Sequence, residues 1–318
     1  MGDMKQENSK LQIKTKSKMI DLCVKVGIVV LLFCLFLFFT KKSIQEETQM
    51  INLEILQLKA NGSSQMMGYL LTTKNGKTIV VDGGTTDDTD NLIKHIKEKT
   101  GKVDAWFITH PHRDHATCLI NIIQNTDIPI DAIYVSLNDV SWYEEYGAGR
   151  GNEAVNLMEA LENERVKDKV YEVSLNQKIQ IDNVKAEILG VKNPEITTNA
   201  MNNSSMVIKM STETKSVLFL GDTGEESGNK LLENQNEKIK ADIVQVAHHG
   251  QSGVTKEVYE AIHPQICLWP TPEWLWKNDK GEGEDSGPWK TKETRKWMED
   301  LEVKQNIVEK DGDVAFSF

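Results

Sequence analysis

Cysteine is too scarce and too scattered in this chain to build a disulfide framework. Of the four, Cys23 and Cys34 fall at or inside an apolar run near the N-terminus, and Cys118 and Cys267 stand alone in apolar stretches. Buried free thiols are the expectation, with a Cys118–Cys267 bridge as the alternative for an exported domain. Internal repeats and low-complexity blocks are absent, which excludes a solenoid and a compositionally biased linker protein. Basic residues are in deficit beyond residue 42. Residues 1–42 hold 8 Lys and 3 acids, whereas the remainder holds 29 basic and 45 acidic residues, net −16. Such a field repels polyanions and argues against non-specific DNA binding, while a local metal-lined cleft can still admit a phosphate. What is present, 318 residues with 39% hydrophobic and 27% charged, is ordinary globular composition, sufficient for one large catalytic domain.

Charge is missing altogether from Val26 to Thr40, VGIVVLLFCLFLFFT, and extension back to Ile20 reaches the ~20 residues that span a bilayer. The small-residue pattern of signal-peptidase cleavage is also missing, because the run ends in Phe-Phe-Thr-Lys-Lys. An uncleaved transmembrane anchor over residues 20–40 is therefore expected, after a basic tail over 1–19. Lys5, Lys10, Lys14, Lys16, Lys18 and Lys25 precede the apolar core and only Lys41 and Lys42 follow closely. The tail should then be cytoplasmic, and a polar spacer, 41–50, should lead to an extracytoplasmic domain over 51–318 in a single-pass cell-membrane protein.

Within that domain, period-two alternation and β-rich runs predict strands at 51–59, 67–72 and 77–81, an antiparallel meander with a turn at Lys74-Asn75-Gly76. Helices are expected over 88–99, 116–124 and 152–165, and strands at 103–109, 132–135 and 169–173. A second series follows: strands at 179–181, 186–190, 205–210 and 216–220, a helix at 225–233, a strand at 243–246, and then 256–262, 266–269, 289–301 and a final strand over 313–318. Strand runs with interspersed helices, occurring twice, predict an α/β fold of two facing sheets with helices outside, an αββα sandwich.

The densest chemistry lies in Thr109-His110-Pro111-His112-Arg113-Asp114-His115, where a buried strand gives way to a helix. Alternate side chains of an extended segment point the same way, so His110 and His112 can grip one cation. Asp114 and His115, at the helix start, can turn toward a second.

This hexapeptide resembles the His-X-His-X-Asp-His signature of the metallo-β-lactamase superfamily, and the likeness extends over about residues 51–318. Val80-Val81-Asp82-Gly83-Gly84 is similar to the family's strand ending in Asp-Gly, which implies that Asp82 supports the metal loop. Leu218-Phe219-Leu220-Gly221-Asp222-Thr223 is similar to the strand whose Asp bridges two metals. Val244-Gln245-Val246-Ala247-His248-His249-Gly250 resembles the closing His-His-Gly segment. The resemblance implies a metal set of His110, His112, Asp114, His115, Asp222 and His249. Asp114 and His248 are the candidate catalytic residues, His248 lining the pocket or donating to a substrate oxygen.

One family ligand is missing: the chain has no histidine from 116 to 247. In its place stands Asn202-Asn203-Ser204-Ser205-Met206-Val207-Ile208, which resembles the hydrolase domain of ComEC-type competence proteins. Two divalent cations are expected, zinc by default; an amide oxygen is a harder and weaker ligand than imidazole, so the first site is less zinc-selective and could hold manganese. The implied activity is hydrolysis of a phosphoester or phosphodiester by water activated between two cations, on a nucleotide, nucleic acid or surface polymer. The alternatives are hydrolysis of a carbon ester, thioester or lactam, and a non-catalytic metal-binding surface module. No protein partner is inferred. Trp269, Trp274, Trp276, Trp289 and Trp297 gather around the loop 270–288, either as packing for the last helix or as a rim suited to a cationic or sugar-like substrate.

Overall fold

The computed structural model describes residues 27–37 and 52–318. The tail, the ends of the expected anchor and the spacer lie outside the described residues. Residues 27–37 form a helix with exposed apolar side chains. Among the described residues, no helix is long and apolar enough to cross a membrane. Residues 52–318 form a compact unit of their own.

Two seven-stranded sheets organise that unit. The first runs β14 (Val314–Ser317), β1 (Leu53–Gln57), β2 (Gly68–Thr73), β3 (Thr78–Asp82), β4 (Ala105–Phe107), β5 (Ile133–Val135) and β6 (Val170–Glu172). The second runs β13 (Gln305–Val308), β12 (Ile266–Trp269), β11 (Ile243–Gln245), β10 (Ser216–Phe219), β9 (Val207–Ser211), β8 (Val184–Gly190) and β7 (Lys178–Ile181). Each sheet begins as an antiparallel meander and continues in parallel strands: β1, β2 and β3 are followed by parallel pairing from β3 to β6. The same change occurs at β10, after which β11, β12 and β13 pair in parallel. In such sheets the loops leaving the carboxyl ends of the parallel strands are where ligands bind.

Side-chain alternation builds the layers. Ile79 and Val81 of β3 face Phe219, Ile208 and Leu268 in an apolar core between the sheets, while Val80 joins Leu92, Ile96, Leu119 and Ile122 beneath the outer helices Thr89–Lys99 and Arg113–Asn125. On the opposite outer face Val244, Cys267 and Trp269 pack with Leu231, Val258 and Met298 from helices Glu225–Gln235, Lys256–Ile262 and Thr291–Asp300. Strands buried on both faces read as continuous apolar runs, which is why VDAWFI and ADIVQV carry no alternation. The arrangement is the αββα sandwich. Cys118 and Cys267 are free thiols in different outer cores, so the alternative of a bridge is overturned.

Several boundaries differ from the expectation. The strand expected over 103–109 is ordered as a ladder only at Ala105–Phe107, because the Thr109 amide turns to the Asp82 carboxylate. The helix expected from residue 116 starts at Arg113. The helix expected over 152–165 ends at Leu161, and Val140–Tyr146 is an additional short helix.

Candidate metal centre

The site assembles where β3, β4, β10 and β11 end. At the end of β3, Asp82 is fully buried, with φ of 56°, a left-handed conformation that aspartate tolerates better than most residues. Its carboxylate accepts the Thr109 amide at 2.7 Å and the Thr109 hydroxyl at 2.8 Å, and lies 2.7 Å from Nδ1 of His115. The Trp106 indole donates to the Asp82 carbonyl at 2.8 Å. A carboxylate only accepts, so His115 carries its proton on Nδ1 and turns Nε2 into the site.

After β4 the extended His110-Pro111-His112 segment leads into the helix that starts at Arg113. His110 Nε2 and His112 Nδ1 lie 2.9 Å apart. The Met67 amide, at the start of β2, holds the Asp114 carbonyl at 2.9 Å, and Gln65 Nε2 donates to Asp114 Oδ2 at 3.1 Å.

The second sheet supplies the other wall. Gly221, with φ of 57°, packs so closely that a Cβ there would lie 2.9 Å from Cβ of Thr109. The amides of Leu220 and Gly221 both donate to Oε1 of buried Gln245, fixing the turn that presents Asp222. Oδ2 of Asp222 lies 3.3 Å from Nε2 of His115, 3.5 Å from Nε2 of His249, 3.8 Å from Nε2 of His110 and 3.9 Å from Nε2 of His248. It therefore stands between the two halves of the cluster.

His248 and His249 follow β11 with left-handed φ of 51° and 54°. That backbone sends the two rings to different environments. His249 is fully buried and its Nδ1 lies 2.7 Å from the Pro270 carbonyl, so Nε2 faces Asp114 and Asp222 at 3.6 and 3.5 Å. His248 keeps a side-chain exposure of 17%, places Nδ1 3.1 Å from the Ser252 carbonyl, and receives the Asn202 amide at Nε2 at 3.1 Å.

Among the described residues two trios of ligand-type atoms each lie within 4.8 Å: His110, His112 and Asp222, and Asp114, His115 and His249. Asp114 Oδ1, His115 Nε2, Asp222 Oδ1 and His249 Nε2 are buried and make no hydrogen bond. Uncompensated polar atoms at this depth are costly unless a cation takes their lone pairs. The donor set, four imidazoles and two carboxylates with their outward nitrogens tied down, fits a pair of divalent ions.

The electrostatics agree. Burial, reinforced by His115 and His112, pushes His110 well below the ordinary histidine value, and burial followed by the Arg150 guanidinium pushes His112 down to about 3. Both are neutral at physiological pH, as ligands must be. Burial opposes charge on His115 and His249 too, but Asp222 outweighs it and raises both, and the same imidazoles hold Asp222 well below the carboxylate range. The cluster is anionic enough to retain protons until cations displace them.

Sequence reasoning passed over four participants. Thr109 links Asp82 to the loop, Gln65 holds Asp114, the Pro270 carbonyl orients His249, and Arg150 places Nη2 3.6 Å from Asp114 Oδ1. Only Thr109, adjacent to the motif, had a sequence signal. The tryptophans divide. Trp269, Trp276 and Trp297 pack in the outer core, with the face of Trp276 occupied by the Arg295 guanidinium at 4.1 Å, while Trp274 and Trp289 stack edge to face at 4.9 Å. Packing therefore accounts for Trp269, Trp276 and Trp297. His95 pairs with Asp313, away from the cluster.

Comparison with known proteins agrees with this geometry. Residues 67–264 match the family model described as the metallo-beta-lactamase superfamily. ComE operon protein 3 of Bacillus subtilis (strain 168) is 31% identical over 100 residues, 31% of this chain and 12% of that protein, so the chain spans a small part of that relative. Zinc-bound PqqB from Methylobacterium extorquens is similar at a TM-score of 0.52 and 9% identity, covering 83% of this chain and 100% of that one. CmlA, a diiron beta-hydroxylase from Streptomyces venezuelae, is similar at 0.50 and 14% identity, covering 83% and 54%. At such identities the likeness is one of fold, and the same fold houses zinc in one neighbour and iron in the other. With the signature loop, the two ligand trios and the matched span together, this chain belongs to the metallo-beta-lactamase superfamily, a family of metal-binding proteins that are usually hydrolases.

Proposed function

We propose that residues 52–318 form a dinuclear phosphoester hydrolase, most readily a phosphodiesterase. The observation that carries the proposal is the placement of Asp222 Oδ2, a member of the first buried trio, within 3.3–3.9 Å of four histidine nitrogens that include His115 and His249 of the second. His110, His112 and Asp222 would hold one divalent ion, and Asp114, His115 and His249 the other, with zinc expected and manganese admissible. Such a pair supplies an activated water and a cationic seat for the oxygens of the reacting phosphoryl group.

The chain's own residues do the rest. Asp82 and the Pro270 carbonyl fix the tautomers of His115 and His249. His248, partly exposed and outside both trios, would be the proton donor to the leaving group when protonated at Nε2; Asn202 lies 3.1 Å from that nitrogen and positions the ring. Asn202 Oδ1 is itself buried and without a hydrogen bond, which supports a second role beside the first ion, where the family's histidine is missing.

The ComEC-like Asn-Asn-X-Ser stretch supports a phosphodiester substrate, a nucleotide, nucleic acid or surface polymer. The −16 balance beyond residue 42 favours short or locally presented phosphodiesters over long polyanions. The apolar run, with exposed side chains at 27–37, supports an N-terminal membrane anchor and an extracytoplasmic site. Full-length protein would be assayed for bound metal by mass spectrometry and for hydrolysis of bis-p-nitrophenyl phosphate, nitrocefin and a thioester with added Zn²⁺ or Mn²⁺. About two metals per chain, and diester turnover that is lost in an Asp114→Ala, His115→Ala double variant, are the expected results. Turnover confined to nitrocefin or the thioester would move the assignment to carbon esters or lactams, and metal without turnover would favour a binding module.

A further inference from the structure

Arginine is rare in this chain: four residues, against 33 lysines. Two of the four have structural posts. Arg165 donates to the carbonyls of Ile123, Thr126 and Ile128 where the metal-loop helix ends, and Arg295 covers Trp276 and donates to its carbonyl at 3.2 Å. Arg113 is exposed at the start of that helix. Arg150, in the glycine-bounded loop before helix Gly151–Leu161, is placed differently. Its Nη2 lies 3.6 Å from Asp114 Oδ1, and its side chain is 42% exposed.

The guanidinium is held rigidly. Nε and Nη2 fork onto Glu153 Oε1 and Oε2, both at 2.9 Å, and Glu153 Oε2 also accepts the Arg113 amide at 2.9 Å. Arg150 is thereby tied to the same helical turn that carries Asp114. A simple ion pair with Glu153 explains the fork but not its position. A cation beside a centre built for two divalent ions repels them, and elsewhere this chain uses lysine for surface pairs. The repulsion is offset when an anion lies between guanidinium and metals, and the outer edge of a guanidinium keeps donors for phosphoryl oxygens after Glu153 has been satisfied.

We propose that Arg150 is the anion-recognising residue of the pocket, donating to a non-bridging phosphoryl oxygen of the substrate from the Asp114 side. The inference rests on the phosphoester reading and narrows it to substrates that keep negative charge on phosphorus, in preference to neutral esters and lactams.

The test is a calorimetric titration of zinc-loaded, full-length protein with inorganic phosphate, comparing wild type, Arg150→Ala and Arg150→Lys at equal metal content. Arg150→Ala is expected to weaken phosphate binding at least about 10-fold, with Arg150→Lys recovering part of the loss. KM for bis-p-nitrophenyl phosphate should rise similarly, with the smaller share of the loss in kcat, and KM for any p-nitrophenyl acetate hydrolysis should not move. Phosphate affinity within twofold of wild type in Arg150→Ala overturns the inference, as does a metal-loaded wild type that binds no phosphate. Loss of metal in both Arg150→Ala and Arg150→Gln would assign Arg150 to holding Asp114 and overturn it too. Phosphate binding that depends on Arg150 in a protein that cleaves no phosphoester would leave the anion site standing and remove the phosphodiesterase reading alone.

Discussion

His115 Nδ1 and the Asp82 carboxylate stand 2.7 Å apart, although the residues are 33 positions distant and leave different strands. The same carboxylate receives both the amide and the hydroxyl of Thr109, so one buried acid sets the course of the metal loop and the orientation of one of its ligands. Asp82→Asn keeps size and tolerates the left-handed backbone but places a donor against donors. Metal affinity measured by chelator competition should fall 10- to 100-fold, the usual consequence of losing such a partner. An unchanged affinity would mean that Thr109 and packing hold His115 unaided.

The two adjacent histidines should separate cleanly on substitution. His249→Ala removes a fully buried ring facing Asp114 and Asp222 and should lower bound metal. His248→Ala should leave metal content near wild type and lower kcat about 100-fold or more, the scale of losing a general acid. Mass spectrometry and initial rates on the same preparations decide it, and equal metal loss in both variants would count against the division of roles.

Much of this was legible in the sequence where the physics is local. Four ligand-type residues within one hexapeptide, placed after an apolar strand, announce a cluster by density alone, and doubled strand series announce two sheets. What was not legible depends on distance. Arg150 sits in a loop with no periodicity, and nothing in its neighbours says that the loop comes to rest beside Asp114, 36 positions earlier. The carbonyl of Pro270 carries no side-chain signal at all. Strand β13 was missed because half of it, Gln305 and Asn306, is exposed and polar, leaving only Ile307 and Val308 as apolar evidence.

Stability should carry a pH signature from Glu309. Burial raises its carboxyl from 4.5 to about 8, and Oε1 accepts the Ala60 amide at 2.7 Å. The folded state therefore holds a proton that the unfolded chain releases. The resulting stabilisation is complete below about pH 4.5 and is lost as pH rises through about 8. Glu309→Gln keeps the acceptor and removes the titration. Its melting temperature relative to wild type should increase by several degrees between pH 6 and pH 9, reflecting on the order of a few kcal/mol. A difference that stays flat over this range would show that the carboxylate is accommodated in charged form.

Chelation should cost stability as well as activity. If ions bind the folded cluster and not the unfolded chain, free metal at 100 times its dissociation constant adds about 3 kcal/mol, so EDTA treatment should lower the melting temperature and readdition of metal should restore it. A melting curve indifferent to EDTA would place the ions outside the folding equilibrium.

Neither sheet owns the centre. His110, His112, Asp114 and His115 come from the connection after β4, Asp222 and His249 from the ends of β10 and β11, and each trio contains members from both. The ions would thus act as rivets through a seam that Gly221 and Thr109 already close tightly. A chain cut in the turn between β6 and β7 would yield two fragments, each carrying an incomplete set of ligands. Metal would then serve as the bait for their reunion, so recovered activity would register assembly of the two halves rather than the folding of either one.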